Sequence, residues 1–179
     1  MYGTISLIFK TILIASLLLS SSFVYGGKAP GSENRSLQRP LLNITVGQVG
    51  VDKNLNEPWR FGMEYRFSPL TRFRLVPSTG VAVGENDASF IYTELRRDFR
   101  LTGDWLLTPS FGLGLFNNRP DLDLGKPVEF RSGLEISRQF GGGYRLGAAI
   151  FHLSNGGLAD KNPGTEAVVV SFSVPLGGG

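Results

Sequence analysis

The chain has 179 residues, no cysteine, a single histidine and a formal net charge of +3, a size that suits one domain with room for a removable leader. Without cysteine there is no disulfide framework, thiolate zinc site, cysteine nucleophile or lipid-attachment cysteine, and one histidine leaves no multi-histidine metal cluster. The basic excess is interspersed rather than gathered into a stripe, which argues against nucleic acid as a partner.

The first segment reads as an export signal. Lys10 precedes the apolar run Thr11–Leu19, which fades through Ser20–Ser22 into Phe23–Gly26, where Val24 and Gly26 form a small-x-small cleavage pattern. Residues 1–26 are therefore expected to be a cleaved signal peptide and residues 27–179 the mature domain. The competing reading is a retained anchor, but the run is shorter than the ~20 residues that a spanning helix needs.

From about Leu41 onward the dominant period is two. Trp59, Phe61, Met63, Tyr65 and Phe67 alternate with Arg60, Gly62, Glu64 and Arg66. Trp105, Leu107, Phe111, Leu113 and Leu115 alternate with Thr108, Ser110, Gly112 and Gly114, and Val128, Phe130, Leu134 and Ile136 with Glu129, Arg131, Gly133 and Glu135. This is strand patterning. It predicts eight strands, at approximately 41–49, 58–67, 72–84, 88–99, 104–116, 127–139, 142–153 and 165–175.

The identity of the wet face decides between a soluble sandwich and a membrane barrel. The polar parity carries charges of both signs (Arg60, Glu64, Arg66, Arg74, Glu129, Arg131, Glu135 and Arg145) together with many glycines. That mixture suits a narrow lumen, where opposite charges pair and glycine leaves room, while the Trp, Phe, Leu and Val parity suits lipid. The expected fold is all-β: an eight-stranded antiparallel transmembrane β-barrel of the outer membrane. In strand four, Phe90 and Tyr92 compete with Ile91 and Leu95 for the lipid face. Links after strands two, four and six are tight, whereas Gly50–Glu57, Asn117–Lys126 and Asn155–Gly164 are longer. Outer-membrane barrels have short periplasmic turns and longer outer loops, so the link between strands seven and eight is expected to face outward. The last aromatic residue is Phe172 rather than the final residue that such barrels usually present for insertion.

Chemistry concentrates around that last outer link. His152 and Ser154 are two apart and share a face of a strand, with Cα atoms roughly 6.5–7 Å apart. Strand eight returns antiparallel and brings Glu166 to the same level, assembling nucleophile, base and orienting carboxylate. By parity all three belong to the lipid-facing rows, where an unpaired polar group costs roughly several kcal/mol. On residue types alone, an interfacial histidine beside an ordinary loop remains an alternative.

The pattern His152-x-Ser154-Asn155-x-Gly157, followed by Asn162-Pro163-Gly164-x-Glu166, resembles the signature of the lipid A 3-O-deacylase family, known as PagL. The resemblance implies an eight-stranded outer-membrane barrel with a Ser–His–Glu triad on its outer surface, in which Ser154 is the nucleophile, His152 the general base and Glu166 its orienting group. It implies an oxyanion-hole role for Asn162, with Gly157 adding a backbone N–H and Asn155 positioning the loop. The implied activity is an esterase that removes the 3-O-linked acyl chain of lipid A, with that chain lying along the exterior of strands seven and eight and leaving as a 3-hydroxy acid. No metal or organic cofactor is implied; the partner is lipid A or lipopolysaccharide in the membrane, and a homodimer is an open expectation. Rival readings are a non-catalytic structural or adhesion barrel, and a calcium-dependent phospholipase for which Asp160 is the nearest acidic ligand.

Overall fold

The computed structural model describes residues 39–50, 58–70, 73–85, 87–117 and 123–177. The expected signal peptide and parts of the first and fifth links lie outside the described residues. Eight strands form: β1 (Leu41–Val49), β2 (Trp59–Arg66), β3 (Leu75–Gly84), β4 (Ser89–Arg97), β5 (Trp105–Asn117), β6 (Val128–Gln139), β7 (Arg145–Ser154) and β8 (Thr165–Pro175). Phe99–Arg100 prolongs β4, because its pairing with Leu107 and Leu106 keeps the β4–β5 register across Asp98. Every neighbouring pair is antiparallel, and β1 pairs with both β2 and β8, which closes the barrel. Closure leaves no edge strand with unpaired N–H and C=O groups, the condition for crossing hydrocarbon with strands.

The wall is inside-out relative to a soluble sheet. Trp59, Phe61 and Met63 of β2, Ile91 and Leu95 of β4, and Leu113 and Leu115 of β5 stand exposed on the exterior. Arg60, Glu64, Arg66, Glu94, Arg96, Arg131, Glu135 and Arg145 are buried inside. Interior charge is affordable only if paired and hydrogen-bonded, and here the pairing is dense. Glu64 accepts from Arg66 Nε at 2.6 Å, from Arg96 Nη1 at 3.1 Å and from the Tyr92 hydroxyl at 3.0 Å. Glu135 accepts both terminal nitrogens of Arg66, at 3.2 and 2.6 Å, and Arg96 Nη2 at 2.8 Å. Glu94 accepts from Arg96 and Arg131. Towards the periplasmic end, Asp98 holds Arg145 at 2.7 Å and Thr108 at 2.8 Å.

The lumen is not polar throughout. Its outer half holds an apolar plug containing Val49, Phe90, Phe116, Leu124, Phe151, Leu153 and Val169. The competition in strand four is thereby settled: Phe90 and Tyr92 point inward. Arg131 joins the two halves, its guanidinium lying 3.5 Å from the Phe151 ring centroid and 4.2 Å from that of Tyr92. Gly133 makes room for this stack, since a Cβ there would fall 2.4 Å from the Phe151 ring. One expected lumen residue is misplaced. Arg74 lies exposed in the β2–β3 turn with φ +53, so β3 begins at Leu75 rather than at residue 72.

Candidate active site on the barrel exterior

On β7 the outward row runs Leu146, Ala148, Ile150, His152, Ser154, and on β8 it runs Glu166, Val168, Val170, Phe172. Both rows turn from apolar to polar at the outer end of the barrel. Register makes His152 and Glu166 direct cross-strand partners, and His152 Nδ1 lies 2.9 Å from Glu166 Oε1. The pair is sheltered without being sealed: the His152 side chain is 20% exposed and that of Glu166 11%. A carboxylate only accepts hydrogen bonds, so a neutral imidazole making this contact through Nδ1–H would leave Nε2 as its proton acceptor. Ser154 stands on the same face, two residues further out and half-buried.

The link 155–164 is held together by one side chain. Asn155 is fully buried; its Nδ2 donates to Leu124 O at 3.0 Å and to Lys161 O at 2.7 Å, fastening the β5–β6 and β7–β8 links together. Asn155 Oδ1 accepts the Gly157 N–H at 3.0 Å, and the Asn155 N–H donates to Asn162 Oδ1 at 3.1 Å. The three loop residues that sequence singled out are thus one hydrogen-bonded unit. Its centre is Asn155, and the Gly157 N–H is directed to Asn155 within it. Asn162 itself is exposed.

Gly164 closes the imidazole from the other side. It has φ +60, and a Cβ on it would lie 3.0 Å from His152 Cε1 and 3.6 Å from Nε2. Glycine is required twice over here, for the left-handed backbone and for the space. Gly164 belongs to the sequence motif, but only the fold sets it against the ring.

Register adds two further neighbours on β6. Phe130 faces Ser154 across the β6–β7 ladder, and Ser132 faces His152. Phe130 stacks on Phe111 at 6.0 Å between centroids. Phe130, Leu134 and Ile150 are half-buried, whereas Val168, Val170 and Phe172 are 44–53% exposed. Apolar side chains therefore flank the site on both sides, along β6 as well as along β8. Asp160 is exposed, and among the described residues no three His, Cys, Asp or Glu side chains gather as a metal site.

This lipid-facing pair lies within a region that matches a known family: residues 48–175, from the end of β1 through β8, fit the model described as lipid A 3-O-deacylase (PagL). The chain belongs to the lipid A 3-O-deacylase family. It is accordingly an outer-membrane barrel of the lipid A deacylases and a hydrolase. Among solved structures, the crystal structure of the outer membrane enzyme PagL superposes with a TM-score of 0.60 at 18% identity, covering 76% of this chain and 99% of that one. Neisserial surface protein A superposes with a TM-score of 0.52 at 11% identity, over 76% of this chain and 96% of that one. Identities this low speak for the barrel alone; the family assignment rests on the sequence model. No curated protein sequence matches the chain significantly.

Proposed function

We propose that this member of the lipid A 3-O-deacylase family hydrolyses the 3-O-linked acyl ester of lipid A in the outer leaflet, with Ser154 as nucleophile, His152 as general base and Glu166 as its orienting group. The observation that carries the reading is the His152–Glu166 contact of 2.9 Å on the lipid-facing wall, with Ser154 on the same face. A hydrogen-bonded acid–base pair facing hydrocarbon is costly unless it has work to do.

In the proposed reaction, Ser154 Oγ attacks the ester carbonyl while His152 Nε2 takes the hydroxyl proton, and Glu166 stabilises the resulting imidazolium. The oxyanion receives the Asn162 amide, whose Oδ1 is held by the Asn155 N–H so that Nδ2 is left to donate. Gly157, bonded to Asn155, shapes the turn that presents Asn162. Collapse of the intermediate breaks the C–O bond to the glucosamine, whose oxygen takes the proton from His152. A water, deprotonated in turn by His152, then attacks the acyl-enzyme, releasing the fatty acid and regenerating Ser154.

The deciding test is mass spectrometry of lipid A from cells producing the chain or its Ser154→Ala variant. Loss of one acyl group with the first and not the second is the expected result. Unchanged lipid A in both, with insertion demonstrated, would favour a non-catalytic barrel.

A further inference from the structure

The exterior row of β6 is apolar at Val128, Phe130, Leu134 and Ile136 and is interrupted once, at Ser132. Register places Ser132 across from His152, on the side away from Glu166, so that Ser132, His152 and Glu166 form one polar row over three strands. Two other lipid-facing hydroxyls, both threonines, are tied to the neighbouring strand. Thr79 Oγ1 donates to Tyr92 O at 3.1 Å, and Thr93 Oγ1 donates to Ser78 O at 3.0 Å. Among the described residues nothing bonds the Ser132 hydroxyl in this way. A hydroxyl left unbonded against hydrocarbon is unfavourable, which makes its position informative.

That position lies on the path of a bound acyl chain. Ser154 sits at the outer end of β7, and the half-buried Phe130, Leu134 and Ile150 form an apolar row on β6 and β7 from its level towards the bilayer centre. A chain with its ester carbonyl at Ser154 reaches the level of Ser132 and His152 next. Diagonal neighbours on adjacent antiparallel strands are roughly 7–8 Å apart at Cα, within reach of side chains that lean together. The carbon β to the carbonyl is about 2.5 Å from the carbonyl carbon, so a hydroxyl on it falls between Ser154 and Ser132.

We propose that Ser132 is a specificity-determining residue that hydrogen-bonds a hydroxyl on the β-carbon of the acyl chain, so that the site selects 3-hydroxyacyl esters over unsubstituted ones. The proposal rests on the reading of Ser154 as the acyl-ester nucleophile. It assigns to Ser132 a contact with substrate rather than support of His152.

The test uses the full chain in detergent micelles with two glucosamine esters of equal length, one 3-hydroxyacyl and one unsubstituted, each at the 3 position. Wild type should prefer the hydroxyacyl ester in kcat/KM. Ser132→Ala should lower kcat/KM for that ester about five- to tenfold, the worth of one neutral hydrogen bond, and leave the other within about twofold. Ser132→Thr keeps a hydroxyl and should keep the preference. An equal loss on both esters, or no loss on either, overturns the proposal. If folded wild type cleaves neither ester, the assignment of Ser154 itself falls, an outcome distinct from an equal loss in the variant.

Discussion

Replacing Gly164 with alanine tests how tightly the imidazole is held. The added methyl would lie 3.0 Å from His152 Cε1 and 3.3 Å from Leu153 O, against about 3.5–4.0 Å for a relaxed carbon contact. The ring must therefore retreat by about 0.5 Å, and the left-handed backbone at φ +60 adds strain of about 1–2 kcal/mol. A misplacement of 1 Å costs about 100-fold in rate, so half that distance corresponds to about tenfold in kcat. KM should change little, because the apolar row of β6 is untouched. Gly103→Ala is the control: its φ is +68, but nothing lies within 4 Å of the added methyl. It should lose comparable stability in a detergent-solubilised unfolding titration while keeping full kcat. Full kcat in Gly164→Ala, or an equal loss in Gly103→Ala, would refute the packing argument.

Two further substitutions probe the scaffold. Asn155→Ala removes two donors to backbone carbonyls and the acceptor of the Gly157 N–H, a local cost of about 3 kcal/mol. Hydrogen exchange at the Gly157 amide should then quicken about 100-fold, and an unchanged rate would mean that the loop is held by other contacts. Glu135→Ala leaves Arg66 and Arg96 each short of a carboxylate in a side-chain environment about 1% exposed. Breaking such a buried pair costs about 3–5 kcal/mol, visible as a lowered unfolding midpoint; a shift worth under about 1 kcal/mol would indicate that water compensates.

The strand count, the inverted polarity and the outward placement of His152, Ser154 and Glu166 were legible in the sequence, because a period of two puts each residue on one of two faces and lipid demands a sharp contrast between them. Legibility failed where both faces are apolar. In β7, Leu146, Ala148 and Ile150 face lipid while Ala149, Phe151 and Leu153 pack the outer lumen, so composition alone could not reveal the plug. Arg74 keeps the lumen parity yet lies in a turn, because a turn can begin inside a run whose parity continues unbroken. The partners of Asn155 were beyond reach for another reason: they are backbone carbonyls of Leu124 and Lys161, which any residue type supplies. Ser132 did leave a trace, a single hydroxyl in an apolar row, whose meaning appeared only once register set it beside His152.

The location of the site on the wall has a kinetic corollary. A cleft-bound enzyme samples its substrate from a volume, but His152, Ser154 and Glu166 open onto the lipid annulus, and on the proposed reading the substrate arrives by lateral diffusion within one leaflet. The variable that saturates the enzyme is then the mole fraction of lipid A in the surface, not its amount per litre. Diluting that surface with inert amphiphile at constant total substrate should slow turnover as surely as withholding substrate would in solution.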